Sequence, residues 1–186
     1  MKKILLTDFL IIGTAALFES TAQERATGNP NFPKMDTSPL DMAFFTDDEA
    51  GPLIRILYSR PQKRDREVFG KLVPYGEVWR TGANEATEIT LFHDMTVAGE
   101  TIKAGTYTLY TIPEEKEWTV ILNKSTNVWG AYDYHVENDL VRIKVPVRRA
   151  KATIEALSMA FEPIDKGTKL LIGWDDRYIE VPFQRI

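Results

Sequence analysis

No cysteine occurs among the 186 residues. That absence removes a disulfide framework, a thiolate metal site, a cysteine nucleophile and the lipid-anchored cysteine of a bacterial lipoprotein. Histidine is nearly as scarce: with His93 and His135 alone, a His-rich zinc site is out of reach, and any metal would need mostly carboxylate ligands. His93-Asp94 falls in a hairpin-turn segment without HxH or HExxH spacing, so no metal is expected there. A GxSxG elbow, a P-loop and a dinucleotide fingerprint are missing too, and no cofactor is expected. Basic surplus is also lacking. A formal charge of −4 and a pI near 5.3 argue against general nucleic-acid binding, although they leave room for a local basic patch.

What is present is ample apolar material. At 44% hydrophobic and 11% aromatic, the chain can bury the core of one domain plus a short appendage. The first residues read as an export signal: Lys2-Lys3, the largely apolar run Ile4 to Phe18, and small residues at Ser20-Thr21-Ala22, with cleavage expected after Ala22. Asp8 and Glu19 are charges that oppose insertion. The run is shorter than the roughly 20 apolar residues of a transmembrane helix, so no stable span is expected after cleavage and the mature chain is placed in the periplasm or outside the cell. Residues 23–50 read as an extended linker, broken by Gly28-Asn29-Pro30, Pro33 and Pro39, in which Met42–Phe45 form an early strand or a helical turn.

From Leu53 onward the hydrophobic period is two. Tyr107, Leu109 and Thr111 alternate with Thr108, Tyr110 and Ile112, and Val141, Ile143, Val145 and Val147 alternate with Arg142, Lys144 and Pro146. Ile179, Val181 and Phe183 repeat the pattern, with Pro146 and Pro182 suggesting edges or bulges. Further strands are expected at 54–58, 78–80, 88–92, 96–98, 100–103, 118–122, 156–161 and 169–174. The breaks between them are short. This spacing predicts an all-β fold over 51–186, an antiparallel two-sheet sandwich or jelly roll with little helix. Ala150–Leu157 has the composition of a helical turn as an alternative.

Tyr58-Ser59-Arg60-Pro61, then Phe69 through Thr87 (FGKLVPYGEVWRTGANEAT), Gly105-Thr106-Tyr107, Thr111-Ile112-Pro113, Glu117–Val120 and Trp129–Tyr132 follow one another in order. Over residues 53–183 these blocks closely resemble the bacterial family called domain of unknown function 2911. The resemblance implies an exported protein of Bacteroidetes type with no established reaction. It also implies a glycine-containing basic turn after Pro61. Here the turn reads Gln62-Lys63-Arg64-Asp65-Arg66, whose side chains oppose a tight backbone approach to a ligand.

Chemistry is concentrated in VWRTGANEAT, residues 78–87. One reading is a self-satisfied turn: Gly82 supplies a positive φ, Asn84 caps through its side-chain oxygen, and Glu85 pairs with Arg80 or Arg60. The other gathers Arg60, Arg80, Asn84 and Glu85 around a concavity. There Arg forks meet a carboxylate, phosphate or sugar hydroxyls, and Tyr75, Trp79, Trp129 and Tyr132 offer apolar faces. Trp129 to His135 lies in the longest loop, Leu122 to Leu140, and His135 there is a candidate acid or base. Three functions follow: a binding module for a small polar or glycan-like ligand, a hydrolase or isomerase with Glu85 as acid or base, and a structural envelope protein.

Overall fold

The structure is a computed structural model that describes residues 31–186. The expected signal, 1–22, and the first part of the expected linker, 23–30, lie outside the described residues. Ten strands follow in order: β1 Leu40–Asp47, β2 Gly51–Ser59, β3 Glu88–Leu91, β4 Met95–Val97, β5 Glu100–Ile102, β6 Gly105–Ile112, β7 Glu117–Asn123, β8 Asp139–Pro146, β9 Arg148–Ile164 and β10 Gly167–Arg185. They make two antiparallel sheets, β1-β2-β3-β6-β7-β8 and β5-β4-β10-β9. This is the two-sheet sandwich that the period-two pattern predicts. The helical content described is one 3-10 turn, Val136–Asn138.

Two expectations are corrected. The sheet begins inside the segment read as linker, because Leu40–Asp47 pair along their length with β2, from Leu40 opposite Ser59 to Asp47 opposite Gly51. Asp47 closes that hairpin by accepting the Glu49 and Ala50 amides at 3.0 and 2.9 Å, and Gly51 takes the left-handed conformation at φ 75°. Ala150–Leu157 is strand rather than helical turn. Its helix-favouring residues lie within β9, which pairs with β10, and cross-strand pairing overrides local preference.

The core lies between the sheets. Leu53, Ile54, Ile56, Ile89, Leu91, Leu109 and Trp118 from the first sheet and its turns belong to one buried cluster with Met95, Val97, Leu157, Leu170, Ile172, Trp174 and Phe183 from the second. Strand β8 shows the expected alternation: Val141, Ile143 and Val145 are buried, while Arg142, Lys144 and Pro146 are exposed. Strand β6 does not, since Thr108 through Thr111 are all buried. The reason is a second layer on its other face, where Tyr110, Ile121 and Ala86 pack with Val78, Val128, Ala131 and Tyr134.

That layer is pinned by one polar knot. Tyr134 donates to Asp139 Oδ2 at 2.5 Å, and Arg142 Nη1 reaches both Tyr134 Oη and Asp139 Oδ2 at 2.8 Å. Asn123 Nδ2 adds bonds to Asp139 Oδ1 and the His135 carbonyl. Burial, with the hydrogen bond to Asp139 and its charge, pushes the Tyr134 hydroxyl up to about 12. An unfolded tyrosine titrates near ~10, so the folded state favours the protonated phenol. This stabilisation is complete below about 10 and is lost as pH rises toward about 12. We expect denaturant midpoints to fall across that window, with a shallower fall in Tyr134→Phe. The slope will not vanish, because burial also raises Tyr58, Tyr107 and Tyr110. Equal slopes in both proteins would assign the effect to those other phenols.

Strand β10 departs from regularity. Its register against β9 shifts between Gly173 and Asp175 and again before Arg177, with Asp175 at φ 57°. The resulting bend returns its far end to its beginning: the Arg185 amide donates to the Lys166 carbonyl at 2.7 Å. Residues Phe183–Arg185 then pair with β4.

Candidate functional site

The VWRTGANEAT stretch is turn rather than strand. Within 78–80 only Trp79 pairs, exchanging backbone bonds with Thr111 at 2.7 and 2.9 Å, so the expected strand there reduces to a single bridge, and Glu85 forms a second one with Trp129. The left-handed residues are Thr81 and Asn84, at φ 54° and 57°, and not Gly82. Glycine is needed at 82 for space: a Cβ there would meet the Ser59 carbonyl at 3.1 Å and Thr87 Oγ1 at 3.2 Å. Thr81, fully buried, shares a hydrogen bond with Thr111 Oγ1 and accepts one at its carbonyl from Thr87. The Asn84–Ala86 backbone is then bonded to Val128–Gly130, which ties the turn to the long loop.

These two positive-φ residues disperse the expected constellation. Arg60 is turned away, donating Nε to the Leu157 carbonyl at 3.0 Å, Nη1 to Asp41 at 2.8 Å and Nη2 to Ser158 Oγ at 2.9 Å. It is a brace between β1 and β9. Glu85 is exposed, pairs with neither arginine, and lines a small separate cleft beside Tyr58, Ser59 and Glu88. Asn84 does not cap its own turn through its oxygen; its Nδ2 donates to Asp36 at 3.2 Å. Tyr75 lies in another depression, accepting from Arg177 Nη1 at 2.8 Å. Trp129 is largely exposed, and His135, also exposed, faces Glu137 at 3.3 Å.

Arg80 and Tyr132 do come together. They line a cavity of about 570 Å³ with Trp79, Gly82, Ala83, Arg64, Arg66 and Glu77, and Trp174 contributes from β10. Its aromatic wall is a stack, Trp79 on Trp174, with ring centroids 6.0 Å apart and planes 18° apart. Trp79 is held by its own Nε1, which donates to the Gly82 carbonyl at 3.1 Å. The Gly130–Tyr132 turn lies over Arg80, since a Cβ on Gly130 would stand 3.3 Å from Arg80 Nη1. Arg80 Nε is buried without a hydrogen-bond partner among the described residues, and its guanidinium has no ion pair among them.

Arg64 and Arg66, overlooked as site residues, come from the turn that follows Pro61. That turn stands on β9: Lys63 N donates to the Glu155 carbonyl at 2.7 Å, and Arg64 N to the Glu155 carboxylate at 2.7 Å. Arg64 itself is left-handed at φ 54°. Arg66 is anchored by its Nε on the Lys63 carbonyl and its Nη2 on the Gln62 carbonyl. The basic run was the readable signal for both. Trp174 gave none, because a tryptophan ending a strand reads as core, and at 1% exposure it is core as well as wall.

One pair invites a metal reading. His93-Asp94 supplies Asp94 to Lys103 Nζ at 2.7 Å instead. Among the described residues no group of three His, Asp or Glu side chains could hold a metal ion.

No curated protein and no solved structure matches this chain. A family model does, over residues 38–183, which takes in all of β1, the cavity turn, the long loop and all but the last two residues of β10. The family is described as protein of unknown function, DUF2911, and this chain belongs to it.

Proposed function

We propose that this is an exported binding protein, periplasmic or secreted, which seats a small polar or glycan-like ligand in the Trp79–Arg80 cavity. The observation that carries the reading is the convergence of Arg80, Arg64, Arg66 and Tyr132 on one aromatic-walled cavity of about 570 Å³. Ligand cavities of a few hundred to about 1,000 Å³ that combine apolar walls with a few convergent polar groups are the usual form of such sites. Export rests on Lys2-Lys3, the apolar run to Phe18 and the small residues at 20–22. Glu85 stands outside the cavity, so the geometry gives no support to catalysis by that carboxylate.

The test is thermal unfolding of the full chain with a panel of sugars, organic acids and nucleotides, alongside Glu85→Gln and Arg80→Gln. A ligand present at a hundred times its Kd adds about 2.7 kcal/mol. For a domain of this size that raises Tm by roughly 5–10 °C. We expect a shift in the wild type, its retention in Glu85→Gln, and its loss in Arg80→Gln. Glu85→Gln itself changes stability by less than about 0.5 kcal/mol, as surface substitutions without partners do. A panel without any shift sinks the reading.

A further inference from the structure

We propose that the cavity selects a carboxylate carried on a sugar-sized body, an acidic saccharide of the uronate class, with Arg80 as the fixed fork for the carboxylate. This rests on the binding reading above and narrows it.

Charge is the first argument. The lining holds three guanidiniums against one carboxylate, Glu77, in a chain whose net charge is −4. The local sign is therefore the reverse of the global one. A concave site with focused positive potential raises the local concentration of anions.

The state of Arg80 is the second. Of the other part-buried arginines, Arg60 pairs with Asp41, Arg177 with Asp176 and Arg185 with Asp47 and Glu49, while Arg55, outside the cavity, lacks a carboxylate and a partner for its Nε but donates Nη2 to Thr90 and lies over the Phe92 ring. Arg80 has none among the described residues, and its Nε is buried without a partner. A buried donor left unmade is costly, more so when charged. The Nη atoms of Arg80 make no hydrogen bond among the described residues and are not fully buried, so an incoming carboxylate supplies two acceptors to that end of the fork, while Nε itself stays out of reach.

The third is what kind of anion. Phosphate is commonly held by helix N-termini, glycine-rich backbone nests or a lysine. The cavity is lined by no lysine, and the one helical turn described, Val136–Asn138, is not part of it. Guanidinium forks bind carboxylate and phosphate alike, so the preference for carboxylate rests on the lack of a lysine or helix N-terminus in the lining and is what the phosphate probes below test. Around them stand features suited to a hydroxylated ring: the Trp79 face, the Tyr132 ring, the Thr37 and Ser38 hydroxyls, and Glu77 as an acceptor for sugar O–H groups.

The experiment is calorimetric titration of the full chain with glucuronate, glucose, glucose 6-phosphate and inorganic phosphate, at low and at high salt. Glucuronate is expected to bind at least about tenfold more tightly than glucose, and to weaken with salt. Arg80→Lys keeps the charge and loses the fork, so glucuronate affinity should fall about tenfold or more while glucose is little changed. Arg64→Asn provides a second reading. Arg64 is exposed, its guanidinium makes no described contact, and asparagine suits its positive φ, so it should weaken glucuronate without lowering Tm. Equal binding of glucose and glucuronate overturns the anion assignment and leaves the binding reading standing. Tighter binding of glucose 6-phosphate or inorganic phosphate overturns the carboxylate. If neither these probes nor the wider panel binds, both readings fall together.

Discussion

Gly167→Ala is expected to destabilise the sandwich by on the order of 3 kcal/mol or more, the upper range for overpacking a close-packed interior. Gly167 is buried at the start of β10, and a Cβ there would stand 2.1 Å from the Phe183 carbonyl oxygen and 2.9 Å from Gln184 Cα. Both are backbone atoms, so no side chain can swing aside. Relief requires the two ends of β10 to separate, which strains the Arg185-to-Lys166 bond at 2.7 Å and the pairing of Phe183–Arg185 with β4. Gly99→Ala is the control, since a Cβ there meets nothing within 4 Å. Gly99 has a positive φ, 88°, whereas Gly167 does not, so Gly99→Ala bears backbone strain without a clash and Gly167→Ala a clash without that strain. Urea unfolding of the two variants checks the claim. A loss in Gly167→Ala no larger than in Gly99→Ala would show that the ends of β10 yield at little cost.

Trp174→Ala is expected to cost about 4 kcal/mol, in the range of aromatic truncations in a packed core. Trp174 is 1% exposed, stacks on Trp79 and meets Phe69 edge-on at 6.4 Å. Its Nε1 donates to the Glu155 carbonyl at 3.2 Å, and truncation removes that bond as well. At roughly 2–4 °C per kcal/mol, Tm should fall by about 8–16 °C. Trp174→Phe preserves an aromatic face for Trp79 and should lose about half as much or less. The same comparison bears on the site. If the stack positions Trp79, Trp174→Phe keeps the ligand shift of the wild type, and Trp174→Ala loses it even well below its lowered Tm.

Much of the fold was legible because half-buried strands write their orientation in alternate residues. Strand β8 is the plain case, with Val141, Ile143 and Val145 inward. Strand β6 was legible as a strand but not in its environment, since a strand covered on both faces loses the contrast on which alternation depends. Strand β9 was hidden at its start by Ala150, Lys151, Ala152 and Glu155, whose local preference is helical and whose partner lies in a distant strand.

The site was legible as a place and not as a set. VWRTGANEAT announced itself by its side chains, and it supplies Trp79, Arg80, Gly82 and Ala83 to the cavity. Which side chains share that cavity turned on Thr81 and Asn84 entering the left-handed region, and neither residue type demands that conformation. Arg80 was thereby sent one way and Glu85 the other. The place of Arg60 was not legible for a different reason: its partners Asp41, Leu157 and Ser158 are remote in sequence and carry no local signature.

The pairing of β4 with the far end of β10 imposes an order on how the molecule is completed. As the chain emerges amino end first from a ribosome or a translocation channel, every strand of the first sheet is available once residue 146 is out. The β4–β5 hairpin has no further partner until Phe183–Arg185 arrive. Until then Met95, Val97 and Ile102, buried in the finished domain, stay wet on a short hairpin with an open edge. Closing so long a loop is slow, on the scale of milliseconds to seconds for sandwiches rich in distant contacts. The interval between making β5 and finishing β10 is thus the window in which a holding chaperone protects this chain and in which misassociation competes with folding.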